Sequence, residues 1–454
     1  DKTISHYLDW SEVNLNYVRL VIVAKNSPEF RISDATRLKA QRKEKELNDQ
    51  ILKQSNPLRI NYTISMSEKE DAPIKAIGND GNLNPTLVYN SHVLRAQNAE
   101  GLVLYCARVF EFTNQLGLIS LVSKKSNNGL TDVLLGLPAQ NTYKVNTSFR
   151  FNEAMSSLQI RAMQSVLNRD GRSIESMIKT FYEDYLSKQF NYHCMPIDFA
   201  NPYDKWRSKC IILLPLLDNI ARQYTAFVQH GTIDPDFVAI MSPMKITDIP
   251  SCITKKYFVT NGQPQELNYL FHLFFSDQCM LNYVDPFKDK HYRNFYELIR
   301  HEEDINYNNY EQYQKLDLEY LIQKGYLSVS GTMKIQVDKI KEILILKHLY
   351  EYHACPFQYC DDEEQTIILD MVQKGWLKED NHLLTPEERD YFSYYLNNEK
   401  FTNGPALRNN YMHGAVIGND EKQHQSAYYR ILNLLILLTI KIYEDLRLSR
   451  DFIK

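Results

Sequence analysis

The segment from Gln425 to Leu446 constrains the fold more than any other part of the sequence. It contains neither glycine nor proline, and apolar residues cover nearly every side of the helix that it predicts. Such a helix must be buried on more than one side. Asn433, Thr439 and Lys441 interrupt the run, which falls short of the roughly 20 apolar residues of a membrane span. The segment therefore predicts the core helix of a bundle or the seam of a dimer, and no membrane partner.

A short segment before this helix carries the candidate catalytic residues. Arg408, Asn409 and His413 lie within one short stretch of chain. An arginine fork can hold a phosphate through two parallel charged hydrogen bonds, a histidine can move a proton near neutral pH, and an amide can orient the imidazole. These residue types together form a compact set for cutting a phosphodiester bond.

Local signals predict that the segment is a short helix. Asn403 or Gly404 is available as the N-cap, and Pro405 fits the first turn, where its missing N–H costs nothing. Gly414 then predicts the end of the helix.

The spacing within this helix limits how the residues can act. Asn409 and His413 are four positions apart, so their side chains share a face and can touch. Arg408 and His413 are five positions apart, which places them roughly 140° apart around an ideal helix. Either another element bends the substrate around the helix, or a second copy of the helix completes the site across a two-fold interface.

The order arginine, asparagine, three residues, histidine and glycine, followed by a long apolar final helix, resembles the HEPN superfamily of ribonucleases and toxins. Arg408, Asn409 and His413 match the family's arginine, polar and histidine positions, and the resemblance covers 393–454. It implies a helical bundle, a homodimer in which both motifs line one cleft, and metal-independent RNA cleavage. In that reaction the 2′-hydroxyl attacks its own phosphate, leaving a cyclic phosphate and a free 5′-hydroxyl. The resemblance also suggests a regulated toxin or an antiviral abortive-infection effector.

Within this interpretation each residue has a role. His413 is the general base or acid on the 2′-hydroxyl or the leaving oxygen, Arg408 neutralises charge in the transition state, and Asn409 fixes the imidazole. The candidate substrate-binding residues are Asn410, Tyr411, Tyr428 and Arg430. Packing is the commoner role for tyrosines in such a helix, but they can also stack on RNA bases. No metal or cofactor is expected.

Composition limits the other function classes. The net charge is −4, and no lysine or arginine run is present that would coat a nucleic-acid backbone. A generic RNA coat protein is thereby disfavoured, whereas a nuclease with a locally basic cleft remains allowed. The seven widely spaced cysteines indicate reduced thiols. No apolar signal segment is evident, so a cytoplasmic location is expected.

One cluster of cysteine and histidine residues is the candidate metal site in this sequence. His353, Cys355 and Cys360 lie close together, with His348 upstream. Structural zinc commonly takes four ligands from two short-spaced pairs, and a second pair is absent. The cluster therefore does not predict a zinc site.

Upstream, the pattern changes twice. Residues 1–150 contain short β-branched or aromatic runs between turn residues, which predict a mostly antiparallel, β-rich N-terminal domain. These runs are Tyr17–Val23, Leu58–Ile64, Thr86–Leu94, Leu102–Phe112 and Leu118–Val122. A charged helix, Ser33–Lys53, interrupts them.

Residues 151–305 then show helical spacing and predict a helical middle domain. Its four predicted helices are Glu153–Leu167, Ser173–Lys188, Cys210–His230 and Glu266–Leu281. In the third, Asp218, Arg222 and Tyr224 indicate a buried ion pair or a solvated flank rather than a site.

A repeat occupies 306–392. Leu318–Leu327 aligns without a gap on Ile368–Leu377, and each copy ends a helix at Lys-Gly and continues into a predicted hairpin, at Ser328–Ile335 and Lys378–Leu384. This order is typical of a winged helix. Neither copy has a basic recognition face, and four acidic residues open the second one at 361–364. A packing or regulatory role is therefore favoured over DNA binding.

The sequence thus predicts an α+β protein with four parts: a β-rich domain at 1–150, a helical domain at 151–305, winged-helix-like units at 306–392 and a HEPN-like bundle at 393–454. The expected partners are RNA, a second copy of the chain, and a trigger protein or ligand at the N-terminal region. Two alternatives remain. One is a non-catalytic HEPN-like dimerisation or interaction module, and the other is a winged-helix nucleic-acid-binding regulator.

Overall fold

Helices dominate the protein, and short strands form small sheets, so the fold is α+β. The computed structural model describes residues 1–10, 13–24, 26, 30–54, 63–77, 86–124, 141–241, 245–412, 414 and 420–452. The first part contains α1 (Lys2–Tyr7), α2 (Leu15–Val23), α3 (Asp34–Gln54), β1 (Thr63–Ser67), β2 (Ile74–Ile77), β3 (Thr86–Asn90), α4 (Ser91–Arg95) and α5 (Ala99–Arg108). The middle contains α6 (Thr147–Arg169), α7 (Ile174–Thr180), a π-helical turn (Phe181–Leu186), α8 (Ser187–Phe190), α9 (Trp206–His230) and α10 (Pro235–Ile240).

The remaining elements begin with β4 (Tyr257–Thr260), α11 (Gln265–Phe275), α12 (Phe295–His301), α13 (Gln312–Gln323), β5 (Leu327–Val329), β6 (Ile335–Val337), α14 (Ile340–Tyr352) and β7 (Ala354–Pro356). They end with α15 (Asp362–Gln373), β8 (Leu377–Asp380), α16 (Pro386–Leu396), α17 (Leu407–Met412) and α18 (Glu421–Phe452). Helices cover most of each of the four segments predicted to be helical in the middle domain, and these predictions are confirmed. Gln265–Phe275 ends before the predicted boundary at Leu281.

The long final helix α18 forms the centre of the largest core. Leu432, Leu435, Leu438 and Ile442 are completely buried, and α5, α6 and α9 pack along the helix. Apolar residues on all its faces are therefore covered within one chain, which confirms the prediction of a core helix. Among the helices that the structure describes, none combines the length and apolar character needed to cross a membrane.

A second core is built from 258–377 and contains the predicted repeat. Helices α13 and α15 both end at a Lys-Gly pair, and Gly325 and Gly375 adopt φ angles of 72° and 75°, where a side chain would be strained. The first predicted hairpin is confirmed as β5 and β6. The second is wrong, because β8 pairs with β4 from upstream, in a sheet of order β7-β4-β8. Both large cores draw on more than one predicted segment, and the domain boundaries stay a prediction.

The β-rich prediction for 1–150 fails at several segments. Tyr17–Val23 lies in α2, which packs against α3, so tertiary packing overrides its strand propensity. Leu102 lies on the buried face of α5, whose N-cap Asn98 accepts a 2.7 Å hydrogen bond from the backbone N–H of Gly101. Leu118–Val122 forms only an isolated bridge, Thr113 to Ile119.

The strands of this region form one mixed sheet of order β1-β3-β2. β1 runs parallel to β3, and β2 runs antiparallel to it, so the expected antiparallel arrangement is only half present. Thr86–Leu94 divides into β3 and α4, because the side chain of Asn90 caps α4 by accepting from the N–H groups of His92 and Val93. The predicted run Leu58–Ile64 lies mostly outside the described residues. The predicted charged helix Ser33–Lys53 is confirmed as α3.

Buried charges join α18 to the rest of the molecule. The carboxylate of Asp445 is fully buried and pairs with the ammonium of Lys256. It also accepts hydrogen bonds from the hydroxyl of Ser251 at 2.6 Å, the N–H of Cys252 at 2.7 Å and the hydroxyl of Tyr224. Because Tyr224 belongs to α9, this carboxylate connects two core helices with the segment that leads into β4.

One turn away on α18, the ammonium of Lys441 is also completely buried. It donates to the carbonyl of Gly117 at 2.7 Å and the hydroxyl of Tyr257 at 2.9 Å, and it pairs with Glu444 at 2.8 Å and Glu388 at 3.5 Å. Burial lowers the pKa of Lys441, but the two carboxylates outweigh burial and raise it above its ordinary value. The lysine is therefore charged at neutral pH.

Asp445 shows the opposite balance. Burial raises its pKa, but Lys256 and the hydrogen bonds from Ser251 and Tyr224 outweigh burial and hold the pKa below its ordinary value. The carboxylate is thus ionised in the folded protein. Since its folded pKa is depressed, the stability it contributes is present above the unfolded pKa and is lost as pH falls through the folded pKa.

We predict that Asp445→Asn destabilises the protein by about 3–5 kcal/mol, because the charge of Lys256 is left buried without its partner. Urea unfolding followed by circular dichroism measures the change. Asp184→Asn is the control, since Asp184 pairs with Lys188 at an exposed position, and its effect should stay below about 1 kcal/mol. The difference between wild type and Asp445→Asn should shrink below about pH 4. Equal effects of the two substitutions would contradict the prediction.

Candidate active site

Arg408 and Asn409 of the candidate motif lie on α17, which follows α16 and precedes α18 in the chain. The expected N-cap role of Asn403 is wrong, because its side chain binds the backbone of Tyr143 instead, with two hydrogen bonds of 2.9 Å. At Gly404 an added Cβ would lie 2.0 Å from the carbonyl oxygen of Tyr394, so only glycine fits there. The helix begins at Leu407. It has ended before Gly414, whose φ of 70° agrees with the predicted stop.

His413 lies outside the residues that the structure describes. Its contact with Asn409, and its angular offset from Arg408, therefore remain predictions from spacing. The other six candidate residues are described.

Arg408 reaches from α17 to α9, where its guanidinium pairs with the carboxylate of Asp218 through Nη2. The arginine and aspartate side chains are 15% and 23% exposed, so water screens this pair only partly. Burial lowers the pKa of Arg408 from its ordinary value, yet arginine stays charged because that value is so high. The sequence predicts a buried ion pair or a solvated flank at Asp218, and the structure shows a part-buried ion pair.

One donor of this guanidinium remains open. The Nε of Arg408 is buried and has no hydrogen-bond partner among the described residues. An arginine side chain has five N–H donors in a rigid fork, and Asp218 fixes one edge of that fork through Nη2. The ion pair therefore orients the guanidinium, whereas the unpaired Nε is buried, so a phosphate would reach that donor only after the surrounding packing opened.

The two asparagines after Arg408 bind the protein itself. The amide of Asn409 donates to the side-chain oxygen of Asn398 at 2.7 Å. The amide of Asn410 donates to the carbonyl of Pro405 at 2.9 Å, which holds the loop before α17. An amide bonded to Asn398 through its nitrogen still has a carbonyl oxygen that can accept from an imidazole N–H.

Tyr411 points into the core rather than toward an open surface. Its hydroxyl lies 2.8 Å from Nδ1 of His424, a buried residue in the first turns of α18. The thiol of Cys210 donates to the backbone carbonyl of His424 at 3.5 Å. Burial raises the pKa of this thiol to about 12, so it is not a nucleophile at neutral pH. The contact between Tyr411 and His424 holds α17 against α18. Tyr411 could bind RNA, as predicted, only if this contact were broken.

Tyr428 and Arg430 project from different sides of α18. The hydroxyl of Tyr428 donates to Glu175, and its ring lies 5.3 Å from that of Trp206. Arg430 instead pairs with Glu153 on α6 at 2.9 Å. Residues that are two positions apart on a helix point in directions roughly 200° apart, so Tyr428 and Arg430 do not form one binding surface. Tyr428 is 4% exposed, which makes packing its main role in this structure.

Arg430 borders a small cavity of about 190 Å³ between α6, α16 and α18. Arg150 and Glu153 line it from α6, and Tyr391 and Tyr395 line it from α16. Arg430 is therefore accessible to a ligand, but its charge is already opposed by Glu153.

Among the six described candidates, none forms a hydrogen bond or an ion pair with another. Each instead binds a residue that the motif did not include, namely Asp218, Asn398, Pro405, His424, Glu175 and Glu153. Asp218 stood out in the sequence as a charge within an apolar helix, but its pairing with Arg408 did not. His424 directly precedes the apolar run at 425–446, and nothing in the sequence marked it as a partner of Tyr411.

Comparisons with protein-family models, curated proteins and solved structures give no match for this chain. Within the described residues, no group of three or more histidine, cysteine, aspartate or glutamate side chains is placed to hold a metal ion. At the predicted cysteine cluster, the sulfur atoms of Cys355 and Cys360 are 3.8 Å apart.

We predict that Arg408 and Asp218 stabilise the fold jointly. In a double-mutant cycle with Arg408→Ala and Asp218→Ala, the coupling free energy should be about 1–3 kcal/mol, because the pair is mostly removed from water. Urea unfolding of all four proteins measures it. The same cycle on the exposed pair Lys188 and Asp184 is the control, where coupling below about 0.5 kcal/mol is expected. Equal coupling in the two cycles would show that Arg408 is not held by Asp218.

Proposed function

We propose that this chain is a metal-independent endoribonuclease with Arg408, Asn409 and His413 as its reacting residues. The proposal rests on the HEPN-like order of these residues and on one observation of geometry. The guanidinium of Arg408 is oriented by Asp218, and its buried Nε–H has no hydrogen-bond partner among the described residues. A pre-oriented arginine of this kind can stabilise charge that develops on a phosphate without first reorganising.

The proposed reaction breaks the P–O5′ bond of RNA. The 2′-oxygen attacks the neighbouring phosphorus, its proton passes to a base, and the 5′-oxygen leaves with a proton from an acid. The products are a 2′,3′-cyclic phosphate and a 5′-hydroxyl. His413 serves as base or acid, Arg408 donates to the non-bridging oxygens, and the side-chain oxygen of Asn409 holds the imidazole.

Two proton transfers favour a site made from two copies of the chain. A neutral imidazole accepts a proton and an imidazolium donates one, so two histidines can divide these tasks. With Arg408 and His413 predicted on different sides of a short helix, a homodimer would supply both groups to one phosphate. In this proposal the partners are RNA and a second copy, and a trigger protein or ligand at the N-terminal region controls activity in the cytoplasm, as in a toxin or an abortive-infection effector.

A non-catalytic HEPN-like interaction module is the second candidate. It is favoured by the internal contacts of the motif, since Arg408 binds Asp218 and Asn409 binds Asn398. In that case α17 has a structural role and links α9 with the segment that follows α16. The winged-helix regulator has less support, because Lys341 beside the second unit is occupied by Asp361 at 2.7 Å and Glu363 at 2.6 Å.

RNA cleavage in EDTA separates these functions. We predict that the wild-type chain cleaves total RNA without added metal, and that Arg408→Ala and His413→Ala each reduce the rate by about 100-fold or more. Arg408→Lys should restore little activity, because it keeps the charge and loses the fork. Labelling of the new ends measures whether cyclic phosphates and 5′-hydroxyls form.

Arg389→Ala provides the matched control, since Arg389 forms a comparable part-buried pair with Asp380 at 2.7 Å away from the motif. It should lower stability without removing cleavage. Intact RNA with the wild type, cleavage that requires added metal, or equal cleavage by His413→Ala would each refute the proposed nuclease. Retention of every cellular phenotype by His413→Ala would favour the interaction module.

A further inference from the structure

A cavity of about 610 Å³ lies far from the candidate active site along α18. Its walls are the end of α5, the segment 111–120, the short turn at Tyr359 and the α18 residues Ile440 to Arg447. Small-molecule sites commonly occupy about 300–1,000 Å³, so the volume suits a ligand of nucleotide size. His424 and Glu444 are both on α18, about 30 Å apart at helical rise. The cavity is therefore separate from the motif.

The wall at 111–120 is held rigidly. The side-chain oxygen of Asn114 accepts hydrogen bonds from the N–H groups of Leu116 and Leu118, at 2.9 and 3.0 Å. The backbone N–H of Ser120 donates to the carbonyl of Phe112 at 2.9 Å. At Gly117, φ is 69° and an added Cβ would collide with Glu444. These contacts preform the cavity, which reduces the entropy cost of binding.

Two arginines line the cavity together with two glutamates, Glu111 and Glu444. Arg108 on α5 and Arg447 on α18 both line it, and neither forms an ion pair with any described residue. The carboxylate of Glu444 also lines it, but that group accepts a 2.6 Å hydrogen bond from Tyr359 and pairs with the buried Lys441. Because Lys441 also pairs with Glu388, it compensates the charge of Glu444 only in part. Arginine forks bind phosphate with two parallel hydrogen bonds, so these two side chains favour a phosphate group.

The remaining lining suits the body of a larger molecule. Val103, Leu104, Ala107 and Ile440 supply apolar surface that can pack against a planar ring. Glu111 stands at the rim with an exposed side chain and a φ of 57°, an uncommon conformation for a residue other than glycine. Its carboxylate can accept hydrogen bonds from sugar hydroxyls or a base amino group. An acidic rim beside two arginines fits a nucleotide better than a bare anion.

We propose that this cavity binds a phosphate-bearing small molecule of mononucleotide size. Arg108 and Arg447 hold the phosphate, the apolar residues contact the base, and Glu111 contacts hydroxyl or amino hydrogens. The cavity includes part of the N-terminal region for which the sequence predicts a trigger. Binding here does not depend on RNA cleavage, so it can be tested whether or not the chain is a nuclease.

Isothermal titration of the full chain tests the proposal with AMP, GMP, inorganic phosphate and adenosine as separate probes. AMP or GMP should bind saturably, and adenosine should bind far more weakly because it lacks the phosphate. Arg447→Ala and Arg108→Ala should each weaken the binding by about 10-fold or more. Arg447→Lys should keep part of the affinity. Arg169→Ala, an exposed arginine at the end of α6, is the control and should bind like the wild type.

The probes also distinguish two sources of the phosphate. Binding of nucleotide but not of inorganic phosphate supports a nucleotide site. Binding of inorganic phosphate with the same dependence on Arg108 and Arg447 supports the phosphate chemistry and makes a free anion the occupant. If no probe binds at millimolar concentration, or if both alanine variants bind like the wild type while folding normally by circular dichroism, the proposal is wrong.

Discussion

The arrangement of the helices depends on charges buried at one end of α18. Asp445 and Lys441 are fully buried residues of α18, and each binds partners from distant parts of the chain. Asp445 binds Tyr224 of α9 and Lys256 of the segment before β4. Lys441 binds Glu388 of α16 and the carbonyl of Gly117. A buried charge has few acceptable partners, so these contacts specify one packing of the helices where apolar contacts alone would allow several.

Through these contacts, α18 joins parts of the protein that are distant in the sequence. Its first turns meet α17 through Tyr411 and His424, next to the candidate active site. Its last third carries the buried charges, and the same turns form one wall of the cavity with Arg447. Because α18 is one continuous helix, a ligand in the cavity would contact the same helix whose first turns hold α17. Such coupling is a hypothesis, which a change of RNA cleavage rate on nucleotide binding would support and an unchanged rate would refute.

The sequence predicted those parts of the fold that depend on local signals. Long helices such as α6, α9 and α18 follow from apolar spacing, and the Lys-Gly ends of α13 and α15 follow from glycine. The strand prediction for Leu102–Phe112 failed because valine, tyrosine and phenylalanine favour strands locally, while α5 is decided by its cap and its buried face. The partner of Arg408 could not be predicted, because Asp218 is 190 positions away and nothing in a single sequence indicates such pairing.

The ion pair at the motif bears on why Arg408 occupies this place. A buried ion pair contributes little net stability compared with well-packed apolar residues of similar size, because both charges lose their hydration. Stability alone is therefore a weak reason for placing an arginine with an unpartnered Nε between α17 and α9. An arginine that must bind a phosphate needs an orienting group, and Asp218 is such a group for Arg408. If the proposed function is correct, the cost of the pair is offset by the orientation that Asp218 gives to the guanidinium.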